Sequence, residues 1–132
     1  MILLCVISLL VGSNNICFME RKKGLHQKQE ICVVFSTAPA ADSAALARML
    51  IDRRLVACVN MVPVRSFYRW KGEFCDDEEH LLIIKTRKEK ADAVIAAIKT
   101  LHPYEVPEII ALPVITGYMP YLEWVHEETR EP

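Results

Sequence analysis

Two long β-type segments stand next to each other in the middle of the chain. The first, LVACVNMVPVRSFYRW (55–70), is rich in β-branched and aromatic residues and leads through Lys71 and Gly72 into EFCDDEEHLLIIKTR (73–87). This pattern predicts a β-hairpin that turns at Lys71-Gly72, with a bulge or bend at Pro63. Since sixteen residues (55–70) at about 3.3 Å each extend to roughly 50 Å, part of the hairpin should overhang the domain.

A strand and a helix are expected before the hairpin. ICVVFST (31–37) is an apolar run typical of a buried strand, and Ala38-Pro39 end it. Asp42 or Ser43 is the expected N-cap of the following helix. Its apolar stripe consists of Leu46, Met49 and Leu50.

A helix, a strand and a terminal helix are expected after the hairpin. KEKADAVIAAIKTLH (88–102) has helical apolar spacing, which Pro103 ends. EIIALPV (108–114) is typical of a buried strand, and YLEWVHEET (121–129) of a short helix. The helical stripe of residues 88–102 is Ala91, Val94, Ile95, Ile98 and Leu101. The whole order is β-α-β-β-α-β plus an extra C-terminal helix, which predicts an α+β, ferredoxin-like sandwich with a long hairpin.

The first thirty residues differ from this body, so we place the domain at 31–132. An apolar run from Ile2 to Val11 precedes Gly12 and Ser13, as in a signal peptide, but no basic residue comes before it. Residues 1–30 are therefore expected to be a leader or a disordered N-terminal extension. The body is expected in the cytoplasm, or in a secretory or organellar compartment if residues 1–13 act as a signal. Membrane association is expected only if the apolar segment is retained.

Charge and cysteine content exclude several classes. The chain has sixteen basic and seventeen acidic residues, a balance that does not favour nucleic-acid binding. The five cysteines are far apart, contain no C-x-x-C pair and are odd in number, which favours a reducing compartment. Only four glycines occur, with no phosphate-cradling loop, and no nucleophile with a neighbouring base can be identified. We therefore do not predict an enzyme.

The predicted strands are apolar at almost every position, although both main helices should cover the same face of the sheet. Only the short terminal helix is left for the second face. The overhanging hairpin also offers an unpaired strand edge to a neighbour. These features together predict a homo-oligomer whose subunits complete the burial of the sheet.

Several stretches together resemble the CutA family, named for divalent-cation tolerance, over about residues 31–129. They are STAP (36–39), LVACVNMVPVRSFYRWKGE (55–73), Lys85-Thr86, HPYEVPE (102–108) and YLEW (121–124). The resemblance implies a ferredoxin-like subunit in a homotrimer that is associated with copper and other divalent metals. It thus implies a protein that binds metal ions and takes part in metal tolerance and in the response to metal ions.

The metal ligands implied by the resemblance are only partly present. In bacterial members a cysteine before Thr-Ala-Pro and two adjacent histidines before Pro-Tyr look like the copper ligands; here Ser36, Leu101 and His102 stand at those positions. Copper(I) prefers thiolate and imidazole, so only weak binding of copper or another divalent cation is expected, with no required cofactor. His102 is the remaining candidate metal contact. The alternative is a structural ring at a helix end.

A second candidate site is a polar pocket between subunits, built around Lys85 and Glu108. The alternative is a plain interface salt bridge. The residues predicted for the pocket are Tyr68, Trp70, Lys85, Tyr104, Glu105 and Glu108. The acidic run 76–79 with His80 is interpreted as a solvated hairpin segment, or as a weak site for hard cations.

Three functions remain open from the sequence. The first is a trimeric, copper-associated divalent-metal-binding protein. The second is a trimeric scaffold or PII-like signalling module that binds a partner or small ligand between subunits. The third, a small enzyme of acylphosphatase-like architecture, is disfavoured, because Ser36-Thr37-Ala38-Pro39 stands after the first strand in place of a glycine-rich oxyanion loop with an arginine.

Overall fold

Four antiparallel strands and three helices build the part of the chain that the computed structural model describes, residues 30–132. The elements are β1 (Ile31–Ala38), α1 (Ala40–Asp52), β2 (Cys58–Trp70), β3 (Glu73–Arg87), a 3₁₀ turn (Lys88–Lys90), α2 (Ala91–Leu101), β4 (Ile109–Pro113) and α3 (Met119–Glu128). The strand order is β2-β3-β1-β4, and all neighbours are antiparallel. The predicted ferredoxin-like α+β plan is confirmed. The leader or extension predicted for residues 1–30 lies outside the described residues, except for Glu30.

The hairpin formed by β2 and β3 turns at Lys71-Gly72, as predicted. Lys71 has φ 49° and Gly72 φ 82°, the positive values that a type I′ turn requires at both central residues. The pairing is unbroken from Trp70–Glu73 to Cys58–Lys85, so the bulge expected at Pro63 is absent. A proline fits there because β2 is an edge strand, where half of the N–H groups point away from the ladder.

The hairpin also overhangs the sheet, as its length predicted. β1 pairs with β3 only from His80 to Arg87. Residues 73–79 of β3 therefore pair with β2 alone. This overhanging half carries the acidic run and all three aromatic residues of β2.

Helices α1 and α2 cover one face of the sheet. Leu46 and Leu50 of α1 are buried and Met49 is partly buried, whereas Leu101 at the end of α2 is 42% exposed. The other buried apolar residues of this core include Val34, Ala38, Leu82, Ile84, Val94 and Ile98. The predicted N-cap of α1 was wrong, because Pro39 holds that position without a side-chain cap. Ser43 lies inside the helix and is fully buried.

The second face of the sheet is only partly covered within the subunit. Helix α3 packs Leu122 and Val125 against Ile31 at one end. Farther along, Ile110 and Leu112 of β4 are 50% and 40% exposed, so the strand predicted to be buried is open in a single subunit. Its register places these two residues beside Phe35 and Val33 of β1. The uncovered surface formed by these four residues is called the open face below.

Candidate functional site

A cavity of about 610 Å³ lies where the overhanging half of the hairpin meets the segment between α2 and β4. Five of the six residues predicted for a pocket line it, and Lys85 does not. Glu79 of the acidic run lines it as well. The predicted residues in the lining are Tyr68, Trp70, Tyr104, Glu105 and Glu108. The prediction that subunits meet at this cavity stays a prediction.

His102 fixes the segment that closes one side of the cavity. It is the last residue before Pro103 and takes the extended conformation that ends α2 (φ −71°, ψ 137°). The backbone N–H of Tyr104 donates to its Nδ1 at 3.1 Å, so Nε2 is the donor to the Thr37 carbonyl oxygen at 2.7 Å. This ring, 7% exposed, ties the end of α2 to the end of β1.

The donors expected for copper do not form a ready site in the subunit. Both ring nitrogens of His102 already have partners, Ser36 is fully buried, and Leu101 has no ligand atom. Within residues 30–132, no group of three or more histidine, cysteine, aspartate or glutamate side chains is placed to hold a metal ion. The residues present do not fit a tight copper centre. A metal role for His102 stays a prediction and requires the ring to release one of its partners.

Glu79 is the cavity residue whose burial the sequence analysis missed. It is 5% exposed, and its Oε2 has no hydrogen-bond partner among the described residues. Burial raises the pKa of the nearby Tyr104 phenol to about 12, and both the negative charge of Glu79 and a hydrogen bond to its carboxylate add to the effect. The alternation of side chains along β3 could have indicated this burial, because Glu79 lies on the same face of the strand as Leu81 and Ile83.

The rest of the acidic run is divided among separate partners. Arg65 donates to both oxygens of Asp76 at 2.8 and 2.7 Å, which lowers the pKa of Asp76. The Tyr68 hydroxyl donates to Asp77 at 2.5 Å, and this bond raises the pKa of Tyr68. The side chain of His80 turns away to Ser43, with Nδ1 2.7 Å from the hydroxyl oxygen. Among the described residues the run does not form a ready group of three ligands, and the weak hard-cation site stays a prediction.

The two lysines near the predicted site have different roles. Lys71, at the hairpin turn, lies 3.3 Å from Glu105 Oε2 and 5.6 Å from the ring centroid of Trp70. Lys85 instead contacts Cys58 Sγ at 3.8 Å, the Ile83 carbonyl at 3.2 Å and the side chain of Asn60. No ion pair joins Lys85 to Glu108 within the described chain. Their predicted pairing across a subunit boundary stays a prediction.

Comparison with known proteins places these residues in context. The family profile described as "CutA1 divalent ion tolerance protein" matches residues 32–128. The divalent-cation tolerance protein CutA of Thermus thermophilus is 46% identical over 99 residues, which cover 74% of this chain and 96% of that protein. Protein CutA of Mus musculus is 44% identical over 102 residues, which cover 76% of this chain but 58% of the mouse protein. The chain thus spans little more than half of the mouse relative.

Solved structures of CutA proteins have the same fold as this chain. The periplasmic divalent cation tolerance protein CutA of Archaeoglobus fulgidus superposes with a TM-score of 0.74 at 34% identity, over 76% of this chain and 99% of that one. A PII-like protein CutA of Nostoc sp. in apo form gives 0.73 at 34% identity, over 75% and 97%. Within the described residues, no helix is long and apolar enough to cross a bilayer.

Proposed function

The chain belongs to the CutA1 family of divalent ion tolerance proteins, and we propose that it acts as a homotrimer in the response to divalent metal ions. It binds copper or another divalent cation weakly and exchangeably, without a resident cofactor. The names of its relatives support the metal part. The missing soft donors at Ser36 and Leu101 are the reason to expect weak binding. The family is one of divalent-cation tolerance proteins rather than a known family of enzymes.

The open face is the observation that supports the proposed assembly. Ile110 and Leu112 are half-exposed on a sheet whose other face is covered by two helices. Apolar side chains in a contiguous row on a sheet favour contact with another protein surface. The two edge strands, β2 and β4, add unpaired backbone groups that a neighbouring chain can bond. A second and third copy of the same chain supply both.

Equilibrium binding of copper and zinc to the purified protein tests the metal part. His102→Ala is compared with His126→Ala, which removes a histidine on α3 instead. If His102 contributes a metal contact, its variant alone loses affinity. Equal affinity in both variants and the wild type would remove His102 from any metal role, and absence of binding in all three would contradict the metal part.

A second function, a PII-like module that binds a small ligand, is favoured by the cavity. Its volume of about 610 Å³ lies within the usual range of ligand pockets, about 300–1,000 Å³. One relative of known structure is itself described as PII-like. A ligand that raises the unfolding midpoint of the wild-type trimer, but not that of a cavity variant, would support this function.

A further inference from the structure

The chemistry of the cavity wall indicates what kind of ligand it takes. Three carboxylates, those of Glu79, Glu105 and Glu108, belong to the described lining, which contains no lysine, arginine or histidine. Aromatic side chains make up much of the remaining wall. They are Tyr68, Trp70 and Tyr104, whereas the Phe67 ring lies on the other face of the hairpin, beside Arg65 and Phe74. A negative, aromatic-walled cavity favours a cation that also has an apolar part.

Glu79 has one buried carboxylate oxygen, Oε2, without a hydrogen-bond partner among the described residues. Its side chain is 95% buried, as its 5% exposure shows, and Oε2 accepts no hydrogen bond from the described residues. A buried carboxylate oxygen without a donor is costly, and native proteins normally supply one. A ligand N–H that reaches Oε2 would both satisfy this atom and neutralise the charge.

The rim of the cavity already holds a cation in the same way. The Lys71 ammonium lies 5.6 Å from the Trp70 ring centroid and 3.3 Å from Glu105 Oε2. It therefore combines a ring face with a carboxylate, as an organic cation would. Lys71 pairs with Glu105, and Oε2 of Glu79 stays without a donor among the described residues.

A metal ion fits the same cavity less well. A calcium-like ion needs six to eight oxygen ligands at about 2.3–2.6 Å, and the described residues contain no group of three or more acidic, histidine or cysteine side chains placed for one. Aromatic walls provide no such ligands. They do provide favourable contact for the carbon chain of an amine.

We propose that this cavity binds a small organic cation, an alkylammonium or alkylguanidinium compound, whose nitrogen donates to Glu79 and whose carbon chain lies against the aromatic wall. The inference rests on the second candidate function, a module that binds a small ligand. It names the chemical class of that ligand. Glu105 and Glu108 add charge at the mouth of the cavity.

Trp70 provides the readout, because the chain has two tryptophans and Trp124 lies on α3, outside the cavity lining. The full-length Trp124→Phe protein is titrated with n-butylammonium and n-butylguanidinium, and in parallel with butyrate and n-butanol. A saturable change in Trp70 fluorescence is expected with the two cations only. An equal response to n-butanol, or no response to either cation, would overturn the proposal.

Glu79→Gln, made in the same background, should lower the affinity for n-butylammonium by at least about tenfold, because the charged acceptor is lost. Glu78→Gln is the matched control, since Glu78 is the exposed neighbour on the opposite side of the same strand, and it should leave the affinity unchanged. If Glu79→Gln fails to fold, Glu108→Gln at the rim serves instead, with an expected loss of about two- to fivefold. Equal affinity in the cavity and control variants would contradict the assignment.

Two further arms keep this proposal separate from the proposed function. Magnesium and manganese are titrated into the same protein, and a Glu79-dependent response to these ions without one to n-butylammonium would overturn the organic-cation class. The native mass of each sample is measured as well. A trimer that does not bind n-butylammonium contradicts the ligand but leaves the assembly standing, whereas a monomer that binds it supports the ligand and contradicts the assembly.

Discussion

His102 is more fully engaged by its own chain than its place in the sequence indicates. Both ring nitrogens have backbone partners, the Thr37 carbonyl and the Tyr104 N–H. The sequence predicted correctly that Pro103 would end α2 and release the chain at this histidine. It did not predict the bond to Thr37, because that partner lies 65 residues away along the chain and becomes a neighbour only through the sheet.

Replacing this ring should cost stability. In His102→Ala the Thr37 carbonyl and the Tyr104 N–H lose their partner in a partly buried place, so the free energy of unfolding should fall by about 2 kcal/mol. Denaturant unfolding at fixed protein concentration measures it. Lys99→Ala, an exposed position on the same helix, should stay within about 0.5 kcal/mol of the wild type. An equally small change for His102→Ala would contradict the structural role.

Tyr104 should give the site a signature at alkaline pH. Burial and the charge of Glu79 raise its pKa to about 12 from the usual value near 10. Because the folded state holds this proton more tightly than the unfolded chain does, its contribution is complete below about pH 10 and is lost towards pH 12. The ultraviolet difference spectrum between the wild type and Tyr104→Phe should place this ionisation near pH 12. A midpoint near pH 10 would show that the phenol is not so shielded.

At the scale of elements, the long hairpin was predictable and its details were only partly so. The β-rich runs on either side of Lys71-Gly72 gave the turn and the overhang correctly. The bulge expected at Pro63 was wrong, because β2 is an edge strand, where a proline is tolerated without interrupting the pairing. The cap of α1 was wrong for a similar reason. Ser43 looked free to cap a helix, but folding buries it against His80.

The hairpin turn depends on the glycine at its second position. Gly72 has φ 82°, and a Cβ placed on it would have no heavy atom within 4 Å. The cost of Gly72→Ala is therefore conformational, and we expect a loss of about 1 kcal/mol in unfolding free energy. Gly72→Asn, which tolerates this region better, should recover most of that loss. If Gly72→Ala matches the wild type, the turn does not have this geometry in solution.

At the scale of the whole molecule, the apolar composition of the strands indicated a need for partners that one chain cannot meet. The sequence did not reveal which surface stays open, since that depends on where α3 docks on the sheet. Helix α3 covers Ile31 and leaves Ile110 and Leu112 of β4 exposed. Glu79 was missed for a related reason. The alternation of β3 assigns Glu79 to the face of Leu81 and Ile83, but its burial also requires the return of residues 102–108 against the hairpin, which is not a local feature.

A charge on the open face should disrupt the proposed trimer. Ile110→Glu places a carboxylate where the assembly would bury it, and an unpaired buried charge is strongly unfavourable. Ile51→Glu is the matched control, because Ile51 on α1 is 43% exposed and Ile110 is 50% exposed, but only Ile110 lies on the open face. Sedimentation velocity should show smaller particles for Ile110→Glu alone. Equal behaviour of the two variants would contradict an interface at this face.

The mass of the native protein shows whether three copies of the chain assemble. The chain is measured by native mass spectrometry at low micromolar concentration, and its denatured mass is measured from the same sample. A homotrimer predicts a native mass three times that of the denatured chain. A native mass equal to one or two chains would contradict the account, because the open face would then be left without the three-subunit cover proposed for it.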